Sequence, residues 1–290
     1  MATQSKAQLL NDVHALLKKR YKPKAEPNAL RFSVLEAVVY GICHEGTTRE
    51  QANQALSRFK DDFFDWNEVR VSTIEEIRSA LAGLPNTEER AQHIRRFLRQ
   101  LFDRTYSFTL DALVKKPLKE SLKVLADYEA FSSDYVTATV TQLALGGHAI
   151  PVDGPVLRAL QRLGIAETEP DVPALRGMLE RAVPKNRGLE FCDLLEELAH
   201  DTCVEGEPDC PRCELRKVCP TAHVRKEQTT AQTKAGKHDG QPPKAAAKDK
   251  VAEHAPAPAK AAKSTKMASP APTPAPAPAP PAKGKPKRSK

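Results

Sequence analysis

The sequence predicts an all-α domain followed by a basic tail that does not fold. Three observations carry this: apolar residues recur at helical spacing, capping signals open the segments, and the composition changes sharply near residue 226. No segment shows the period-two alternation of a half-buried strand, and there is neither a hairpin pair nor an internal repeat.

The elements follow in order. Leu9, Leu10, Val13, Leu16 and Leu17 form a first apolar stripe, and Val34, Leu35, Val38, Val39 and Ile42 a second, more deeply buried one. Ser33 to Glu36, Thr47 to Glu50 and Thr73 to Glu76 read as capping boxes, in which a hydroxyl and a carboxylate satisfy first-turn amides. Further helices are expected at about 88–104, 109–115, 118–127, 133–145, 154–163, 172–182 and 188–200. Gly83 to Asn86, Gly146-Gly147 and Val183 to Asn186 separate them, because Gly and Pro end helices for steric reasons.

Beyond residue 226 there is no Phe, Trp or Tyr, and twelve of the chain's 24 prolines fall there. Such a segment buries too little apolar surface to offset its conformational entropy, so residues 226–290 are expected to be disordered. The tail holds 14 Lys plus Arg and 4 Asp plus Glu; subtracting these from the chain's 45 and 37 leaves 31 basic and 33 acidic residues in 1–225. The formal charge of +8 therefore belongs to the tail, and a nucleic-acid surface on the folded part has to be a local patch. The tail reads as a diffuse cationic arm that adds salt-sensitive, non-specific affinity for DNA.

No stretch approaches the roughly 18 apolar residues of a membrane span. The start, Met1 to Lys6, runs straight into an amphipathic pattern without a signal-like apolar region, so a cytoplasmic or nucleoid location is expected. Six cysteines, four of them within the 17 residues from Cys203 to Cys219, suit metal ligation in a reducing compartment better than a disulfide framework.

Cys203, Cys210, Cys213 and Cys219 have six, two and five residues between successive thiols. Four soft ligands suit tetrahedral zinc or an iron–sulfur cluster. A single CxxC pair, with His223 placed after a fourth cysteine is already present, favours iron–sulfur over zinc. Cys43 and Cys192 sit on helical stripes and read as small buried hydrophobes.

This cysteine pattern at the end of a helical chain resembles the cluster loop of endonuclease III and of the adenine-specific mismatch glycosylase. Ile150 to Arg158 looks like the same family's Val-Asp-x-x-x-x-Arg segment, with Asp153-Gly154 similar to the mismatch branch. With the helix order, the resemblance spans about residues 5–222. It implies a two-lobed helix–hairpin–helix DNA glycosylase fold over 1–202 and a [4Fe-4S] loop over 203–222. It also implies a monomer that binds double-stranded DNA.

Asp153 then corresponds to the carboxylate that stabilises the cationic sugar or activates the attacking nucleophile, and the same residue also reads as a helix N-cap. The family's hairpin glycines are replaced, since Glu129 to Asp134 fall over the hairpin. Ser132 and Ser133 become the candidate phosphate anchors and Tyr135 the residue entering the pocket. Bifunctional members carry a Schiff-base lysine where this chain has Tyr135, which argues against strand-cleaving lyase chemistry. The family's Gln near Gly41 to His44 is also missing, and His44 reads as a helix-end cap. Arg212, Arg216 and Lys217 on the cysteine loop are expected to face a phosphate backbone.

The resemblance points to a monofunctional glycosylase that removes a damaged or mismatched base. A catalytically degenerate DNA-binding or damage-sensing module is the alternative, and a zinc-bound helical interaction module the third reading.

Overall fold

The computed structural model describes residues 5–22 and 32–224; the tail expected at 226–290 lies outside them. Among the described residues there is no strand, and no helix is long and apolar enough to cross a membrane. The fold is all-α, as the periodicity predicts.

Eleven α-helices are described: α1 (Lys6–Arg20), α2 (Val34–His44), α3 (Arg49–Asp62), α4 (Trp66–Val71), α5 (Ile74–Ala80), α6 (Thr87–Thr105), α7 (Leu118–Leu125), α8 (Asp134–Leu143), α9 (Gly154–Arg162), α10 (Val172–Ala182) and α11 (Gly188–Asp201). They build two hydrophobic cores. One gathers α2 to α8 around Phe97, Leu98 and Leu101; the other joins α1 to α9, α10, α11 and the cysteine loop around Phe191. The division into two lobes follows from these two cores.

The first lobe is centred on α2. From Val34 to His44 all its residues except Glu36 are buried, so the helix is apolar nearly all round and packs on α3, α6 and α8. Ser33 and Glu36 close the expected capping box at its start. The box expected at Thr47 to Glu50 is displaced by one residue. Thr47 Oγ1 instead donates to the Cys43 and His44 carbonyls at the end of α2, which leaves Thr48 and Gln51 to cap α3. The α-helix expected at 109–115 is a short 3₁₀ turn, Asp111–Lys115, ended before Pro117.

The second lobe is closed by α9. Its hydrophobic face, Val156, Ala159 and Leu160, packs on α11, and its arginines reach the loop beyond that helix. A change such as Phe191→Ala would open this core at a cost of about 3–5 kcal/mol.

Candidate active site and cysteine loop

Two adjoining cavities share Tyr135 and Asp153 in their walls. The larger is a cleft lined by Glu45, Gly46, Asn86, Arg90, His93, Ser132 and Ser133, among others. The smaller one is lined by Phe32, Tyr40, His44, Gln142, Asp193 and Glu196, together with Tyr135 and Asp153.

Asp153 is the N-cap of α9, with Gly154 and Pro155 as its first residues. Pro155 is tolerated there because its missing N–H falls in the unpaired first turn. Asp153 Oδ1 accepts from the Val156 amide at 2.9 Å, and Oδ2 accepts from the Gly46 amide at 3.1 Å. The carboxylate is only 7% exposed. Two backbone donors therefore fix a buried carboxyl group at the start of α9, in the wall of both cavities.

Tyr135 occupies the first turn of α8, and its hydroxyl is 2.9 Å from His44 Nδ1. Burial pushes the Tyr135 phenol well up, and the negative charges of Asp153 and Glu196 add to this, so it stays protonated. On the far side of the ring, His44 Nε2 lies 3.2 Å from Glu196 Oε1. Burial alone would raise Glu196, but the contact from His44, with the Arg49 charge and the Arg49 amide at 2.7 Å, outweighs it and holds the carboxyl below the usual range. Arg49 also pairs with Asp193. His44 is thus a member of the buried polar network, and the helix-end cap expected of it is corrected.

Ser133 caps α8 through the Val136 amide and donates to Glu45 Oε2 at 3.1 Å. Burial raises the Glu45 carboxyl, with Asp153 nearby adding to the shift against Ser133 and Arg90. The Ser133 hydroxyl is thereby committed inside the protein, whereas Ser132 is exposed on the 3₁₀ turn Glu129–Ser132. Phe131 packs against the first core, and Asp134 pairs with Arg176. Arg90 reaches the end of α2, donating to the Ile42 carbonyl and to the Glu45 carbonyl at 2.6 Å.

All six cysteines are free thiols. Cys203, Cys210, Cys213 and Cys219 line one small apolar pocket with Leu163, Leu198 and Leu215. Among the described residues, no group of three or more His, Cys, Asp or Glu side chains is gathered as around a single metal ion. Arg162 ties the loop down: its guanidinium donates to the carbonyls of Cys203 at 3.2 Å, Val204 at 2.7 Å and Gly206 at 3.3 Å, and lies 3.5 Å from Cys203 Sγ. Arg158 donates to the carbonyls of Ala199 and Cys203. Cys43 is buried and Cys192 half-buried, and burial pushes both thiols up to about 12.

No family model and no curated protein matches this chain. Solved structures do. A non-covalent endonuclease III–DNA complex is 18% identical with a TM-score of 0.61, the match covering 78% of this chain and 100% of that one. A trapped endonuclease III–DNA covalent intermediate, an estranged-adenine complex, gives 18%, 0.60, 77% and 100%. A thermostable thymine-DNA glycosylase gives 17%, 0.55, 76% and 97%.

The chain has the endonuclease III fold.

Within that fold, the residues singled out in the sequence are distributed unevenly. Asp153 and Tyr135 meet at the wall between the cavities, with Ser132 and Ser133 on the cleft side. Arg212, Arg216 and Lys217 lie apart on the cysteine loop, in two 3₁₀ turns, and all three are exposed. Arg212 is balanced by Asp201 at 3.5 Å and Asp209 at 3.0 Å, while Arg216 donates to the Pro211 carbonyl. Sequence reasoning missed Glu45, Gly46, Arg49, Asp193 and Glu196. Gly46 alone carried a readable signal, a left-handed turn directly after α2 with φ of +73°.

Proposed function

We propose that this protein binds double-stranded DNA as a monomer and acts in base excision repair as a monofunctional N-glycosylase on a damaged or mismatched base. The observation that carries the reading is the Asp153 carboxylate, buried and aimed by two backbone amides at the edge of a cleft, in a chain with the endonuclease III fold.

The base would leave the duplex at an unstacking cost of a few kcal/mol, offset by pocket contacts. The C1′–N bond then breaks, its electron pair departing with the base. The Asp153 carboxylate stabilises the positive charge left on the sugar, water adds at C1′, and its proton is lost to solvent. Tyr135 cannot form the imine that cleaves a strand. Ser132, Arg212, Arg216 and Lys217 are the candidate phosphate contacts, and the basic tail adds non-specific affinity. Ser133 contributes its position at the head of α8, since its hydroxyl is already held by Glu45.

Four thiols around one apolar pocket, with the Arg162 cation against Cys203, suit a [4Fe-4S] cluster in donor type and charge. Cys203, Cys210, Cys213 and Cys219 would hold it, and its contribution is structural, fixing the loop on α9 and α11. Metal analysis of anaerobically purified protein gives about four iron atoms per chain on this reading; one zinc per chain would replace the assignment.

The commitment of the Ser133 hydroxyl to Glu45 favours a second reading, a degenerate DNA-binding or damage-sensing module. Single-turnover reactions on a panel of damaged and mismatched duplexes separate the two. Abasic sites revealed only after alkali support the monofunctional enzyme. Strand cleavage without alkali refutes the absence of lyase chemistry, and DNA binding without base release from any duplex selects the sensing module.

A further inference from the structure

The smaller cavity is lined by a chain of polar groups for which the carboxylate chemistry of Asp153 has no use. Glu196 Oε1 lies 3.2 Å from His44 Nε2, and His44 Nδ1 lies 2.9 Å from the Tyr135 hydroxyl. His44 is 8% and Tyr135 6% exposed, and Glu196 is half-buried.

We infer that His44, whose Nε2 lies 3.2 Å from Glu196, is a positioning residue that sets which way the Tyr135 O–H points and so makes Tyr135 a proton donor to the departing base. This deepens the glycosylase reading and rests on it.

The argument is one of donors and acceptors. Neutral imidazole has one N–H. With that N–H at Nε2 facing the ionised Glu196, Nδ1 is an acceptor and the Tyr135 O–H points back at it, away from the cleft. When His44 takes up a proton, Nδ1 becomes a donor. The Tyr135 oxygen must then accept, and its own hydrogen is released from His44 in a residue that lines both cavities together with Asp153. The groups facing His44 come from every element packed against it. They are Tyr135 from α8, Tyr40 one turn back on α2 with ring centroids 5.0 Å apart, and Glu196 from α11, behind which stand Arg49 of α3 and Asp193 of α11. Glu45 and Arg90 line the cleft, Asp153 lines both cavities, and the half-buried Cys192 thiol lies on the His44 side.

The step balances. The Tyr135 O–H gives its proton to the nitrogen that leaves with the C1′–N electron pair, and the Nδ1–H of His44 replaces it. Glu196 stays ionised throughout. Water adds to the sugar cation, and the proton it releases returns to His44 through solvent.

The experiment is single-turnover base release across a pH series with the full chain, alongside ¹⁵N imidazole spectra of the same preparations. Excision by the natural protein should accelerate as pH falls, and His44→Gln should flatten that acid limb. Tyr135→Phe should lose about 10²-fold at the acid end. Spectra of the free protein at the alkaline end should show the Nε2–H tautomer, with the Nδ1 signal moving in Tyr135→Phe. A His44→Gln variant that keeps the acid limb overturns the inference, as does an Nδ1–H tautomer. If the natural protein releases no base, the glycosylase reading falls. The proton donation then falls with it, whereas base release that lacks an acid limb overturns this inference alone.

Discussion

Arg162→Ala tests how the cysteine loop is held. The guanidinium donates to three carbonyls, of Cys203, Val204 and Gly206, and no other described side chain donates to the last two. Hydrogen bonds from a charged group contribute about 1.5–3 kcal/mol each when buried, and less when part-exposed as here. Crediting the Val204 bond at 2.7 Å with about 1.5 kcal/mol and the two longer ones with about 0.5 kcal/mol each gives roughly 2–3 kcal/mol for the loop. A loss of that size raises the population of the open loop by about 30- to 150-fold. Hydrogen exchange reads it directly at the Cys203 and Asp209 amides, which bond to Leu198 and Thr202. Exchange there should quicken by that factor, while amides of α2 and α8 keep their rates. Unchanged exchange at Cys203 and Asp209 would refute the view that Arg162 fastens the loop, and equal acceleration everywhere would show that it supports the whole lobe instead.

Three other outcomes follow from the structure. Gly147→Ala should destabilise by about 1–3 kcal/mol in urea unfolding, because a Cβ there would meet Thr141 Cγ2 at 2.5 Å and Leu118 Cδ2 at 2.9 Å. Glu196, Glu36 and Asp201 titrate below their ordinary values in the folded chain. Their contribution is therefore present above the unfolded carboxylate range and lost as pH falls through the folded values, so unfolding free energy should decline below about pH 5, and less steeply in Glu196→Gln. Removing residues 226–290, with their 14 cations, should weaken binding to any duplex at low salt and flatten the dependence of log affinity on log salt. An unchanged salt slope in a titration by fluorescence anisotropy would show that the tail does not touch DNA.

What the sequence made legible was what is local in it. Two of the three capping boxes close as expected, and the apolar stripes of α1 and α2 face their cores, because both depend on spacings of three and four residues. The cysteine loop is legible for the same reason, its four thiols lying within one short segment. The third capping box fails by one residue since the Thr47 hydroxyl closes the previous helix, a competition that spacing does not resolve. The candidate site was only half legible. Asp153 stood out through its own segment, but its second amide donor, Gly46, is 107 residues away, and the His44 partner Tyr135 is 91 residues away. Such pairings exist only once the two lobes fold, so a residue like His44 reads as an ordinary helix end until Tyr135 and Glu196 are placed beside it.

The central claim rests on one carboxylate. Asp153→Asn keeps an oxygen for the Val156 amide but turns an NH₂ toward the Gly46 amide and removes the charge. Single-turnover base release by this variant, compared with the natural protein at matched DNA occupancy, is the most direct measurement. The account predicts a loss of about 10²–10³-fold with DNA affinity retained, the size seen when one group stabilising transition-state charge is removed. Base release at the natural rate from the Asn variant would contradict it and reduce Asp153 to a helix cap.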